Sequence, residues 1–481
     1  MNKPDAGLTL ATELARHDLV RLLYPAADWV PAHDGPAGAP LLDVLVVGAG
    51  MCGQTAAFGL LRDGVRKLRI VDRAARGNEG PWATVARMPT LRSPKHLSGP
   101  DLGVGSLTFR AWYEAQHGAE GWQALYKIPT LLWRDYLLWV RDTVGLPVEN
   151  DTALIALEAH GELLRAELAS PRGRETVFAR KVVLALGREG SGRLRWPAFP
   201  SFDPARAHGH VVHALTEFDV ARFAGQRIAI LGAGATAFDN AAAVLDAGAT
   251  SATLFARRAH LPQVNKSKWT SFPGFFHGFV ALPDRARWRF LTHVYAEQAP
   301  PPHESLLRCD AMPGFALRLG EHWSDLAVDD GGVTITTARG RETYDAAILA
   351  TGFGVDMLLR PELAAFREQV LVWGDRVSAS EALAHAEAAH FPYLGAGFEF
   401  MARDPGTLPA ARNLHVFNWG AAMSHGQLAG DIPGLAIGVN RLVQAIARDL
   451  FVADEQRLYA ALLAHEEPEL QPTRWFVPAG Q

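Results

Sequence analysis

Two glycine-rich turns are the parts of this sequence whose residue types and spacing best suit ligand chemistry. In the first, Gly48, Gly50 and Gly53 follow the apolar run "DVLVV" with the spacing Gly-x-Gly-x-x-Gly. Such a turn brings backbone amides close to a pyrophosphate at the positive end of a helix. The next predicted strand, "KLRIVDR", ends in Asp72, where a carboxylate would bind ribose hydroxyls. The pattern predicts a dinucleotide site, and the alternative is that the glycines only turn the chain.

A second turn of the same kind begins in "ILGAGATAF". Its residues are Gly232, Gly234, Thr236 and Ala237, with alanine at the position of the third glycine. The strand that follows, "SATLFARR", ends in Arg257 and Arg258 instead of an acid. Two guanidinium groups suit the ribose phosphate of NADPH, although a solvated pair at a strand end is the alternative. We therefore expect FAD in the first site and NADPH in the second, with hydride passing between them.

The elements around these turns predict an α/β fold. Residues 8–23 have the period of an amphipathic helix, and short apolar strands alternate with helical stretches from Asp43 onward. The region 262–325 is interpreted as irregular, and 430–450 as a long helix. The alternation favours two Rossmann-like dinucleotide-binding domains, namely a three-layer FAD domain with an NADPH domain inserted into it.

This organisation divides the chain of 481 residues into four segments. The interpretation is an N-terminal helical arm (1–40), a first part of the FAD domain (41–190), the NADPH domain (191–350), and a second part of the FAD domain with a C-terminal helix (351–481). The length suits two to three domains.

Composition narrows the function classes. A net charge of −4 gives no electrostatic case for nucleic acid. The two cysteines form no Cys-x-x-Cys motif, which argues against disulfide-reductase chemistry. The N-terminus lacks the apolar core of a signal peptide, and the most apolar stretch is broken by glycines, so we expect a cytoplasmic protein without a membrane span. The sequence leaves the oligomeric state open, and a homo-oligomer is allowed.

Two further segments carry a resemblance to class B flavin-dependent monooxygenases. "LALGRE" (184–189) and "ILATGF" (348–353) resemble the points where the chain crosses between domains in these flavoproteins. The resemblance covers most of 43–450. It implies that Thr351 and Arg73 lie in the FAD site, and that Trp82 of "EGPW" lies against the flavin. It also implies that NADPH reduces FAD and that molecular oxygen then forms a flavin hydroperoxide, which oxygenates a small substrate.

The match to the class fingerprint is partial. "GHVVH" resembles the centre of F-x-G-x-x-x-H-x-x-x-[FYW], but Ala207 replaces the Phe and Glu217 stands at the aromatic position. That departure weakens a Baeyer–Villiger assignment. The histidines at 208, 210 and 213 do not favour zinc, because no second ligand cluster accompanies them.

Two segments resemble N-hydroxylating ornithine and lysine monooxygenases. "MSHGQLAGDIPGLAIGVNRL" resembles their Thr-His-Gly segment and the helix after it, which would point its N-terminus at the flavin. His425 is then either a flavin-site residue or a core histidine bonded to backbone. In "LPQVNKSKW", Asn265 and Lys266 are candidates to meet nicotinamide or substrate, with a surface loop as the alternative.

The stretch "ARMPTLRSPKHLSGPDLG" resembles a bacterial group of FAD-dependent urate hydroxylases. Urate is an anionic purine, and Arg92, Lys95 and His96 are candidates to hold an anion, although Arg92 is as well suited to FAD phosphates. The resemblance implies hydroxylation of a small polar substrate, with urate as the best candidate. The alternatives are N-hydroxylation of an amine, an NADPH oxidase or reductase without oxygenation, and a redox sensor that is not an enzyme.

Overall fold

The computed structural model describes residues 3–97, 99–206, 209–470 and 473–475, with side chains from residue 6. Its strands are, in chain order, β1 (Leu41–Val47), β2 (Leu68–Val71), β3 (Val148–Glu149), β4 (Ala153–His160), β5 (Leu163–Ser170), β6 (Gly173–Leu184), β7 (Gly192–Leu194), β8 (Val211–His213), β9 (Arg227–Leu231), β10 (Ser251–Ala256), β11 (Phe315–Leu319), β12 (Asp325–Asp329), β13 (Gly332–Thr337), β14 (Gly340–Tyr344), β15 (Ala346–Leu349), β16 (Phe353–Val355) and β17 (Leu414–Val416).

The helices in this part of the chain are α1 (Lys3–Arg21), α2 (Met51–Arg62), α3 (Phe109–Ala124), α4 (Thr130–Thr143), α5 (Ala235–Asp246), α6 (Lys266–Trp269), α7 (Pro273–Gly278), α8 (Asp284–Glu297), α9 (His303–Asp310), α10 (Ala379–Ala384), α11 (Ala386–Ala389), α12 (Ala422–His425), α13 (Leu435–Ala453) and α14 (Glu455–Leu463). None of these described helices is long and apolar enough to cross a membrane.

The larger sheet has the strand order β3-β2-β1-β6-β5-β4, with β17 also paired to β6. β1 runs parallel to β2 and β6, and β17 runs parallel to β6. Every residue of β1 except Leu42 is buried, as expected for a parallel strand covered on both faces. One large core joins this sheet to α2, α3, α4 and α13.

The second sheet has five parallel strands in the order β11-β10-β9-β15-β8. α5 and α9 cover one face, and the antiparallel strands β12 to β14 cover the other. The chain enters this unit after β6 and returns after β15. The entering strand β7 and the returning strand β16 pair with each other as an antiparallel ribbon. The predicted fold class, two Rossmann-like units with the second inserted into the first, is confirmed.

The prediction of an irregular region at 262–325 is wrong. That region contains α6 to α9, the strand β11 and the start of β12. Its prolines suggest breaks, but Pro273 occupies the first turn of α7, and Pro283 and Pro302 are the residues before α8 and α9. Proline is well tolerated at these positions because the first amides of a helix have no intrahelical partner.

The terminal helices differ from prediction mainly in their bounds. The arm helix α1 extends further toward the N-terminus than 8–23 and buries Ala11, Ala15 and Leu19 in the main core, whereas Leu22 is exposed. The late helix, expected over 430–450, is α13, which begins at Leu435. The preceding residues pack against its first turns, since a Cβ at Gly438 would lie 2.5 Å from the Leu428 carbonyl oxygen.

Candidate active site

The first glycine turn joins β1 to α2. Gly48 has φ +97°, and a Cβ there would lie 2.5 Å from the Ala185 carbonyl oxygen. A Cβ at Gly53 would lie 1.7 Å from the Gly48 carbonyl oxygen. Gly50 is the N-cap residue of α2. A Cβ at Gly50 would have its nearest neighbouring atom, in Gly80, at 3.6 Å. Two of the glycines are thus required by packing, and the third leaves the amides at the helix N-terminus approachable.

Asp72 is anchored to this turn. Its carboxylate accepts hydrogen bonds from the backbone amides of Ala49 (2.6 Å) and Ala74 (2.8 Å). Burial raises the pKa of Asp72, and the two amides oppose that shift. Each oxygen keeps a second lone pair that a ribose hydroxyl could use. The neighbouring Arg73 pairs with Glu189 at 2.6 Å, so the segment after β6 reaches across the end of β1 to the end of β2.

The "EGPW" segment lies beside the same turn. Glu79 is buried and accepts hydrogen bonds from Arg141 (2.7 Å), the Gly77 amide (2.7 Å) and Asn150 (2.6 Å). This network holds the loop rigidly against Gly50. The buried indole nitrogen of Trp82 has no hydrogen-bond partner in the described part of the chain. An orphaned donor beside an open, uncapped helix N-terminus fits a bound dinucleotide such as FAD.

The second turn repeats this geometry between β9 and α5. Gly232 has φ +127°, and a Cβ there would lie 2.5 Å from the Ala350 carbonyl oxygen. A Cβ at Gly234, the cap residue of α5, would meet nothing within 4 Å. Ala237 is fully buried, so its methyl group replaces the third glycine by packing inward. Thr236 lies in the first turn of α5. This open, uncapped N-terminus also fits a pyrophosphate.

The two arginines stand at the end of β10, beside the second turn. Arg257 is exposed, and Arg258 is half-buried with its guanidinium 3.4 Å from the Ala296 carbonyl oxygen. The parallel pairing of β9 and β10 puts the end of β10 next to the glycine turn after β9. Arg257 and Arg258 therefore lie beside the second glycine turn, and their role in binding a ribose phosphate stays a prediction.

Thr351 lies between β15 and β16, just before the connecting ribbon. Its hydroxyl donates to the Arg195 carbonyl oxygen and lies 3.4 Å from Nε2 of His213. His213 is fully buried, and burial lowers its pKa to about 4, so its ring is neutral. Thr351 thus lies where the chain returns from the second sheet to the first, and its predicted role in binding FAD stays a prediction.

Arg87 connects the two halves. Its guanidinium donates to the carbonyl oxygens of Ala214 (3.1 Å), Thr216 (3.2 Å) and Phe218 (3.3 Å), in the segment after β8. The same group lies 3.7 Å from the centre of the Phe218 ring. Burial lowers the pKa of Arg87 to about 10.

Replacing Arg87 with alanine will lower the free energy of unfolding by about 3 kcal/mol, because three partly buried carbonyl groups lose a charged donor at once. Urea unfolding measures this effect. Arg110→Ala is the matched control, since Arg110 is exposed and forms an ion pair with Glu114 across one helical turn, and we expect it to cost under about 0.5 kcal/mol. If the two substitutions lower the free energy of unfolding equally, Arg87 is not an important connection between the two halves.

The three residues predicted to hold an anion do not form one site. Arg92 pairs with Asp239 of α5 at 2.9 Å and keeps nearly half of its side chain exposed. Lys95 donates to the Trp122 (2.5 Å) and Leu125 (2.6 Å) carbonyl oxygens at the C-terminus of α3. His96 is exposed. The interpretation of Lys95 as an anion ligand is wrong, because its ammonium group caps a helix; only Arg92 faces both halves.

Asn265 and Lys266 lie at the start of the short helix α6. The Asn265 side-chain oxygen accepts a hydrogen bond from the Lys268 amide at 3.2 Å and so caps this helix. Asn265 is exposed, and Lys266 is half-buried. This geometry favours the surface-loop alternative for Asn265 in the described structure, and contact with nicotinamide or substrate stays a prediction.

His425 is fully buried. Its Nε2 donates to the Gly395 carbonyl oxygen at 2.9 Å, Nδ1 accepts from Arg441 at 3.2 Å, and the ring stacks on Phe398 with centroids 3.8 Å apart. Burial lowers its pKa to about 3. Both ring nitrogens are thus engaged within the protein, which favours the core-histidine alternative over a catalytic role.

The structure adds four residues that sequence reasoning missed. Arg188 follows β6, Trp419 follows β17, Asp431 precedes α13, and Tyr295 is on α8. The Arg188 guanidinium lies 4.3 Å from the Trp419 ring centre. Arg188 lies inside "LALGRE", but nothing in its spacing indicated a ligand, because its neighbours come from distant parts of the chain. Among the described residues, no cluster of three or more His, Cys, Asp or Glu could hold a metal, and His208 lies outside them.

Comparisons with known proteins agree with this architecture. Residues 42–271 match the family described as pyridine nucleotide-disulphide oxidoreductase. The chain is 39% identical over 469 residues to the FAD-dependent urate hydroxylase of Xanthomonas campestris pv. campestris, a match that covers 95% of this chain and 97% of that protein.

Solved structures show the same fold. The ornithine hydroxylase of Pseudomonas aeruginosa superimposes with a TM-score of 0.66 at 16% identity, covering 85% of this chain and 100% of that one. A complex of the ornithine N-hydroxylase of Kutzneria sp. 744 with reduced FAD, NADP⁺ and L-ornithine gives 0.65 at 16% identity, again covering 85% and 100%.

Two Rossmann-like units, two open glycine turns and the full-length relative define the class. The chain belongs to the class B flavin-dependent monooxygenases, in the group represented by the Xanthomonas urate hydroxylase. It is accordingly a flavin-dependent oxidoreductase.

Proposed function

We propose that this protein is an NADPH-dependent monooxygenase that uses FAD and molecular oxygen to hydroxylate urate. The 39% identity to a urate hydroxylase along almost the whole of both chains carries the proposal. The open second turn, with Arg257 and Arg258 beside it, supports NADPH as the electron donor. In the reaction, one oxygen atom enters the substrate, the other leaves as water, and NADPH supplies two electrons.

The residues of the chain mainly bind, orient and exclude water. The first turn and Asp72 would hold the FAD pyrophosphate and ribose, while the second turn would hold NADPH. Bound FAD would supply the redox chemistry, accepting electrons from NADPH and passing them to oxygen. Arg87 and the pair Arg92–Asp239 hold the two halves together, which keeps water away from the region where the cofactors meet.

An N-hydroxylase acting on an amine is the second candidate. One observation favours it: Asp431 places a carboxylate near the junction of the two halves. However, the charges of both Arg188 and Arg92 act on this carboxylate. Arg92 is already paired with Asp239, whereas Arg188 has no ion pair among the described residues and lies over the Trp419 ring. The unpaired guanidinium of Arg188 therefore supports an anionic substrate.

Urate will accelerate NADPH oxidation by the FAD-loaded protein in air, because substrate binding commits reduced flavin to oxygenation. The test follows NADPH absorbance with urate, ornithine or lysine while hydrogen peroxide is assayed. We expect loss of urate and little peroxide with urate alone. Acceleration by ornithine or lysine instead would select the N-hydroxylase. Equal peroxide release with every compound would mean an oxidase and would contradict the proposal.

A further inference from the structure

Arg188 lies near the junction of the two halves. In the described part of the chain, its guanidinium forms neither a salt bridge nor a side-chain hydrogen bond, and it lies over the Trp419 ring. The Arg188 side chain is exposed. Its five N–H donors are therefore available to a ligand.

The neighbours of Arg188 place this side chain beside the first glycine turn. Trp419 and Arg188 follow the adjacent parallel strands β17 and β6, at the carboxyl edge of the sheet. In open α/β sheets this edge is where ligands bind. A Cβ at Gly430 would lie 3.8 Å from the Trp419 ring, and the Gly430 backbone hydrogen-bonds to the thiol of Cys52, the second residue of α2.

Tyr295, on α8, packs against the same hydrophobic cluster as Trp419. Its hydroxyl oxygen is buried and has no hydrogen-bond partner among the described residues. The charges of Arg188 and Asp431 both act on this hydroxyl. A buried, unpartnered hydroxyl is uncommon, and it indicates a ligand whose acceptor or donor completes the pair.

Together these groups offer hydrogen-bonding side chains next to a rigid aromatic ring. The Trp419 ring supports the Arg188 guanidinium from one side. The guanidinium is a forked donor, the Tyr295 hydroxyl is a donor or acceptor, and Asp431 is an acceptor. A planar anion with carbonyl oxygens and ring N–H groups has the complementary arrangement. The residues predicted from sequence to bind the anion do not supply such a pair of free N–H donors, since Lys95 caps α3 and Arg92 pairs with Asp239.

Resting on the proposed function, we propose that Arg188, held against Trp419, binds the anionic ring of the purine substrate, with the Tyr295 hydroxyl as a second ligand. Arg188 is then a specificity-determining residue, because it selects an anion over the ammonium substrates of an N-hydroxylase. Lysine would be a poor replacement, because its ammonium group cannot donate the two parallel hydrogen bonds that the planar guanidinium offers.

Arg188→Gln, Arg188→Lys and Tyr295→Phe test this proposal. Arg188→Gln will raise the urate KM and the dissociation constant for urate by about 10- to 100-fold, as expected for loss of a charge-assisted hydrogen bond. Arg188→Lys will recover part of that loss, and Tyr295→Phe will give a smaller increase. FAD content and the rate of anaerobic flavin reduction by NADPH will stay at the wild-type level. Urate binding is followed by perturbation of the flavin spectrum.

Arg110→Gln is the matched control, because the exposed Arg110 guanidinium also lies over a tryptophan ring, that of Trp122, at 5.5 Å. We expect it to leave all of these quantities unchanged. An unchanged urate KM in Arg188→Gln would overturn the inference alone, while leaving urate turnover by the wild type intact. Weakened FAD binding would also overturn it and make Arg188 a cofactor ligand.

Wild-type protein that binds urate without turning it over would contradict the proposed function, and the binding constants would still test Arg188. Wild-type protein that does not bind urate would overturn both.

Discussion

Gly53→Ala will yield protein without FAD, whereas Gly234→Ala will yield FAD-loaded protein that uses NADPH poorly. The two substitutions add the same methyl group to equivalent turns, but the surroundings differ. At Gly53 the new Cβ would lie 1.7 Å from the Gly48 carbonyl oxygen, so the helix α2 must move away from the turn that would hold the FAD pyrophosphate. Overpacking of this kind costs about 3 kcal/mol or more when backbone blocks it.

At Gly234 the new Cβ meets no protein atom within 4 Å, and the backbone there is extended. We expect a change of under about 1 kcal/mol in the free energy of unfolding. The methyl group would instead occupy space that a phosphate needs, and so raise the NADPH KM by about tenfold. Flavin absorbance, thermal unfolding and NADPH kinetics measure the three quantities. Retained FAD in Gly53→Ala, or lost FAD in Gly234→Ala, would contradict the assignment of the two turns.

The double substitution Arg257→Ala with Arg258→Ala will reduce the preference for NADPH over NADH by about 100-fold. The reason is that each guanidinium would supply a charge-assisted hydrogen bond to the ribose phosphate, worth about 1.5–3 kcal/mol, and NADH has no such phosphate. The measurement is kcat/KM for the two nucleotides, with urate present. Activity with NADH will stay within about threefold of wild type, because neither arginine is needed for the part of the nucleotide that both donors share.

The matched control is the double substitution of Arg172 and Arg174, two exposed arginines on the β5–β6 hairpin of the other sheet. We expect the control to leave the preference unchanged. If the double variant of Arg257 and Arg258 keeps the wild-type preference for NADPH over NADH, the ribose phosphate binds elsewhere.

The parts of the fold that sequence could predict are those encoded locally. A Cβ at Gly53 would clash with the carbonyl oxygen of Gly48, five residues earlier, so the spacing Gly-x-Gly-x-x-Gly is itself part of the turn and predicted it. The order of strand and helix followed from apolar runs, because parallel strands are buried on both faces. The proline-rich region 262–325 misled prediction, since proline begins helices as readily as it ends them.

The parts that could not be predicted depend on contacts between distant residues. Lys95 looked available in "RSPKH", but α3 ends beside it, some thirty residues later, and uses its charge. Arg188, Trp419, Asp431 and Tyr295 come from four separate stretches of the chain that only the tertiary fold brings near one another. His425 had two interpretations of equal standing from sequence, and the Arg441 and Gly395 contacts now favour the structural one.

A single-turnover experiment tests the central claim, that electrons pass from NADPH at one turn through FAD at the other to oxygenate urate. FAD-loaded protein is mixed with one equivalent of NADPH without oxygen, and the reduced protein is then mixed with oxygen and urate. We expect rapid loss of flavin absorbance in the first step. In the second step we expect close to one hydroxylated urate per flavin and little peroxide. A flavin that NADPH does not reduce, or one that reoxidises to peroxide with urate intact, would contradict it.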